Sequence, residues 1–153
     1  MPSKHDLFSP GLEAVATLSL ALVLFLDAVR LEVKELRADW RVSALGVTDN
    51  GFLQELEAVV AHLSIGRVVP GCDAIFFGAT RAAELTRLDK LKRSLKPNGA
   101  IWIIRPKGQP EISERATMAA GKAAGLVDVK VVGFSPTHTA EKYVIPVSAR
   151  PKP

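Results

Sequence analysis

At 153 residues the chain is long enough for one domain with its own core and short for two. Hydrophobic residues make up 48% and charged residues 24%, a globular composition that excludes a disordered or fibrous chain. A formal net charge of +4 suits anionic ligands without requiring nucleic acid, and the single cysteine excludes an intramolecular disulfide and a cysteine metal cluster. Cys72 reads as a small buried hydrophobe, and with nothing that calls for an oxidising compartment a cytoplasmic, bacterial-type protein is expected.

The first element is an apolar helix over Pro10–Arg37. Ser9-Pro10 is a helix start, because proline at the first helical position lacks only an amide that would be unpaired anyway. Leu18, Leu22, Phe25, Val29, Val33 and Leu36 keep helical spacing. The uncharged run Ala14–Leu26 is 13 residues, below the roughly 18 a spanning helix needs. Its apolar surface is nearly continuous around the helix, so a partner subunit, the protein's own core or a membrane surface must cover it. A homo-oligomer through this helix is the expectation, and membrane association is not expected. The chain therefore divides into an N-terminal helical segment, 1–39, and an α/β unit, 40–150.

In that unit, Trp40–Gly46 reads as a short strand, followed by the polar turn VTDNG. Phe52–Leu63 carries a helical stripe of Leu53, Leu56, Val59, Val60 and Leu63, which places His62 late in a helix. Gly66–Val69 reads as a brief strand closed by Pro70-Gly71. Asp73–Phe77 is an apolar run of the kind buried on both faces of a parallel sheet. Arg81–Lys96 reads as an amphipathic helix, with Leu85, Leu88, Leu91 and Leu95 inward and a basic outer face of Arg87, Lys90, Arg93 and Lys96. Because Glu84 and Asp89 interleave and Asp89 can pair with Arg93, that face reads as solvated, and nucleic-acid binding is not expected. Lys96-Pro97-Asn98-Gly99 has turn chemistry. Ala100–Ile104 is the next strand; Ser113 caps a helix that Gly125 stops. Val127–Phe134 and Tyr143–Val147 are the last strands, and their short link allows only an antiparallel return. The alternation argues for a Rossmann-like three-layer α/β sandwich, mostly parallel with an antiparallel C-terminal strand.

The succession CDAIFF, helix, LKPNGAIWII, helix, strand and returning strand resembles the second half of class I S-adenosylmethionine (SAM)-dependent methyltransferases. LKPNGAIW with RPKG, MAAGKAAGLVDVKVV and FSPTHTAEKYVIP also resembles a family of short bacterial proteins with no settled activity. Three departures separate the chain from the methyltransferase pattern. The turn Ala44–Gly51 keeps Gly46 and Gly51 but lacks the intervening glycines of the family's glycine-rich turn. Gly66–Val69 offers Arg67 where the pattern has a ribose-binding acid. About 26 residues lie between Gly46 and Asp73, where one crossover unit alone takes about 30. A truncated domain is implied, with no cofactor expected and SAM disfavoured.

Ligands of open parallel sheets bind beyond the carboxyl ends of the strands. The loops expected there carry Gly46, Thr48, Asp49, Asn50, Arg81, Arg105, Lys107 and His138, with Thr80, Thr137 and Thr139 nearby. Two arginines, a lysine and a helix start near Gly51 point to an anionic small molecule seated between Asn50, Arg105 and His138. His138 suits acid–base work as a residue type, and Asp49 could orient it, though Asp49-Asn50-Gly51 is equally a turn and helix cap. His5, His62 and His138 show no metal-ligand spacing. The leading expectation is a methyltransferase-like binding or regulatory module without methyl transfer. The alternatives are an enzyme with a reduced cofactor site and a nucleic-acid or membrane-surface accessory protein.

Overall fold

The computed structural model describes residues 36–151. The N-terminal helix expected over Pro10–Arg37 lies outside the described residues except for Leu36 and Arg37, which are not helical. The described elements run β1 (Arg41–Leu45), α1 (Asn50–Val59), β2 (His62–Ile65), β3 (Cys72–Gly78), a 3₁₀ helix (Ala82–Arg87), α2 (Leu88–Arg93), β4 (Leu95–Pro106), α3 (Glu114–Ala123), β5 (Val127–Gly133) and β6 (His138–Val144).

They form a six-stranded sheet in the order β2-β1-β3-β4-β6-β5. β1 pairs in parallel with β2 and β3, and β3 with β4. β6 lies antiparallel between β4 and β5, as the short link after Phe134 requires. Helix α1 lies on one face, and the 3₁₀ helix, α2 and α3 lie on the other, which gives the expected three layers. Alternation along β4 shows the division: Ile101 and Ile103 enter the core with Leu85, Leu88, Leu91 and Tyr143, whereas Trp102 and Ile104 enter the core with Phe52, Leu56 and Phe76.

Four boundaries differ from the sequence reading. The helical stripe ends at Val59, because Val60 turns extended (φ −110°, ψ 137°) and the Ala61 amide donates to the Ala38 carbonyl at 2.9 Å. His62 therefore opens β2, where it pairs with Arg41, and is exposed. Gly66–Val69 is not a strand: Gly66 has φ +81°, and the chain folds back so that the Val69 amide donates to Ser43 Oγ at 3.3 Å. The expected helix over Arg81–Lys96 is a 3₁₀ helix followed by a short α-helix, and Leu95 already belongs to β4. Lys96–Gly99, expected as a turn, accordingly lies inside β4 as a bulge: three residues of β3, Cys72 to Ala74, stand opposite six of β4, Leu95 to Ala100. The last strand begins at His138 instead of Tyr143, because Ser135 Oγ accepts from the His138 and Thr137 amides and makes the hairpin turn tight.

Candidate functional site: the carboxyl edge of the sheet

The carboxyl ends of β1, β3 and β4 and the β5–β6 hairpin enclose a crevice of about 210 Å³. Gly46 and Gly78 form its floor. A Cβ on Gly46 would stand 2.5 Å from the Gly78 oxygen, and one on Gly78 would stand 2.2 Å from the Gly46 oxygen. The two glycines let the ends of β1 and β3 close on each other, backbone against backbone, and Gly46 also needs its φ of +71°.

Asp49 caps α1: its Oδ1 accepts from the Phe52 amide at 3.0 Å. The helix start therefore already holds a carboxylate where an anion would otherwise gain from the aligned amides. On the opposite wall His138 Nδ1 lies 2.8 Å from Thr137 Oγ1, and Thr137 Oγ1 lies 3.3 Å from Ser135 Oγ. Thr80 donates its hydroxyl to Glu84 Oε1 at 3.0 Å. Ile104 and Phe134 supply the apolar part, with Phe134 edge-on to Phe52 at 4.9 Å between ring centroids. The lining is hydroxyl-rich, with one carboxylate and one imidazole and no lysine or arginine.

Of the residues singled out in the sequence, Gly46, Thr48, Asp49 and His138 meet at this crevice. Asn50 begins α1, Arg81 precedes the 3₁₀ helix, and both are exposed outside the lining. Lys107 is exposed on the turn after β4 and is tied to the hairpin only through its amide, which donates to the Thr137 carbonyl at 2.9 Å. Arg105, expected at this edge, does not line the crevice. It shares the face of Ile101 and Ile103, away from the crevice, and its Nε donates to Glu141 Oε2 at 2.6 Å. Glu141 is fully buried, with Thr117 Oγ1 at 2.8 and 2.9 Å from its two oxygens and the Tyr143 hydroxyl at 3.3 Å. Burial, reinforced by the charge of Glu141, holds the Tyr143 phenol above its ordinary pKa despite the opposing hydrogen bond from Thr117. This cluster ties β4, β6 and α3 together. The expected seat of an anion between Asn50, Arg105 and His138 is not assembled.

Gly78, Phe134 and Ser135 escaped the sequence reading. The signal for Gly78 was a glycine closing an apolar run, and for Ser135 a Ser-Pro turn. Cys72 is buried, with its Sγ 3.2 Å from Ser43 Oγ and donating to the Val69 carbonyl at 3.0 Å, a packing role. Among the described residues, no three His, Cys, Asp or Glu side chains are grouped to hold a metal, and no helix is long and apolar enough to cross a membrane.

No protein-family model matches the sequence, and no curated protein matches it. Solved structures do resemble it. A SAM-dependent methyltransferase from Aquifex aeolicus aligns with TM-score 0.61 at 20% identity, covering 80% of this chain and 92% of that one. CalO1, a methyltransferase of calicheamicin biosynthesis in its SAH-bound form, aligns with TM-score 0.58 at 16% identity over 92% of this chain and 60% of its own. A precorrin-6y C5,15-methyltransferase from Geobacter metallireducens aligns with TM-score 0.55 at 12% identity, covering 78% and 87%. At these identities the likeness is one of fold: the chain has the Rossmann-like fold of class I SAM-dependent methyltransferases.

Proposed function

We propose that this protein is a methyltransferase-like binding module that takes a small, uncharged or cationic polar molecule at the carboxyl edge of its sheet and does not transfer methyl groups. The observation that carries this reading is the closure of Gly46 on Gly78. In a site that admits a nucleoside cofactor, a glycine after the first strand leaves room for the ligand; here that room holds the neighbouring strand's backbone. Two further features agree. Neither β1 (RVSAL) nor β2 (HLSI) carries a carboxylate to grip an amino or ribose group. The crevice, about 210 Å³, is below the roughly 300–1,000 Å³ usual for sites of larger ligands.

These residues do not fit SAM. What the crevice does offer is the second carboxylate oxygen of Asp49, the hydroxyls of Thr48, Thr137 and Ser135, and the ring of His138 against an apolar wall. That set recognises hydroxyl or amine groups and disfavours phosphate, which would face Asp49 without a cation to offset it. A thermal-shift screen tests the reading. Small polyols and amines are expected to raise the melting temperature, and His138→Ala is expected to abolish that rise while leaving the unliganded protein folded. Stabilisation by SAM or S-adenosylhomocysteine, retained in His138→Ala, would overturn it.

A further inference from the structure

We propose a second ligand site, on the sheet face opposite α1, that binds a small amphipathic anion: a carboxylate or phosphate head on a short apolar body. Between α2 and the chain that folds back after β2 runs a groove of about 350 Å³, lined by Leu45, Val68, Arg87, Lys90, Leu91 and Ser94. Its volume is within the range of small-molecule sites. Leu91 is buried, and Leu45 and Val68 pack against the same core, so the floor is apolar and held by the sheet.

The charges decide the ligand. Four cations were expected to share one solvated helix face, and the structure separates them. Arg93 pairs with Asp89 at 2.7 Å, and Lys96 pairs with Asp73 at 3.1 Å. Arg87 and Lys90, which line the groove, have no acidic partner among the described residues, and no carboxylate lines the groove with them. One turn apart on neighbouring helical segments, they place a guanidinium and an ammonium at the mouth of an apolar slot. Guanidinium matches the planar carboxylate or the phosphate fork, and the ammonium adds a mobile second donor. The apolar floor gives the body of such a ligand a dry place to lie. A highly charged polymer would gain from the two cations but leave Leu45 and Val68 unused, which favours a small amphipathic ligand over nucleic acid or an acidic peptide. This groove is separate from the crevice at the carboxyl edge, and neither proposal depends on the other.

Octanoate, octyl phosphate, octanol and inorganic phosphate serve as probes, with binding followed by methyl chemical shifts of the full chain. Octanoate or octyl phosphate is expected to saturate, with the largest shifts at Leu45, Val68 and Leu91. Their ranking identifies the preferred head group. Octanol and inorganic phosphate are expected to bind at least about tenfold more weakly, since each lacks one half of the match. Arg87→Ala with Lys90→Ala, both at exposed positions, should weaken the anion by about tenfold or more, and added salt should weaken it further. The proposal is overturned if octanol binds as well as octanoate, if the double variant binds unchanged, if the shifts fall around His138, or if only an acidic peptide or a DNA duplex responds to the double variant.

Discussion

Removing the guanidinium of Arg105 while keeping its apolar stem, as in Arg105→Met, should destabilise the fold severely. Arg105 is 8% exposed and Glu141 0%, and they meet at 2.6 Å. In the variant the Glu141 carboxylate stays buried with only the hydroxyls of Thr117 and Tyr143 for company. Breaking a buried pair by removing one partner costs about 3–5 kcal/mol, a large share of the 5–15 kcal/mol that holds a typical domain together. The cost arises from the stranded charge and not from the loss of attraction alone. Replacing Glu141 with Leu in the same background should therefore return most of the loss, because a paired-to-apolar exchange is close to neutral. Urea unfolding followed by the fluorescence of Trp40 and Trp102 measures both steps, and the two single variants with the double close a thermodynamic cycle. A loss below about 1 kcal/mol in Arg105→Met, or a double variant as unstable as the sum of the singles, would refute the structural role assigned to this pair.

Tyr143 is the only tyrosine, so tyrosinate absorbance reports on it alone. Its raised folded pKa means the neutral phenol's contribution is fully present below about pH 10 and is lost as pH rises through the folded value; the tyrosinate signal should appear only with alkaline unfolding, and a reversible titration at the ordinary pH would contradict the buried placement. Gly78→Ala should cost roughly 1–3 kcal/mol in urea unfolding, because a Cβ 2.2 Å from the Gly46 oxygen must push two strand ends apart, and an unchanged midpoint would count against the closure. Leu18, Leu22 and Phe25 lie outside the described residues, and their proposed role in self-association rests on hydropathy: each exposed side chain costs about 1.5–3 kcal/mol relative to burial. Analytical ultracentrifugation should then show Leu22→Glu shifting an oligomer toward monomer, and a wild-type chain that is monomeric at high concentration would remove that reading.

The sequence made much of this fold legible where local pattern and tertiary role agree. The apolar runs of β3 and β4, the Ser113 cap, whose Oγ accepts from the Ala116 amide, and Gly125 at φ +77° all fall where pattern and turn chemistry place them. It failed at β2, because Val59, Val60 and Leu63 continue a helical spacing while pairing with β1 decides the conformation. It failed again at Gly66–Val69, where β-branched residues serve a return segment that bonds Ser43. The site was half legible. Gly46, Thr48, Asp49 and His138 fall at the crevice because chain order alone puts those loops on the carboxyl edge. Arg105 does not, because period-two alternation along β4 turns it toward Glu141, a partner 36 residues away that no local pattern announces.

Isothermal titration of the full chain with SAM and with S-adenosylhomocysteine tests the central claim most directly. With Gly46 packed against Gly78 at the carboxyl-edge crevice, and no carboxylate on β1 or β2, neither compound is expected to give saturable heat at physiological concentration. A micromolar dissociation constant for either, lost in Gly78→Ala but not in Arg87→Ala, would contradict it.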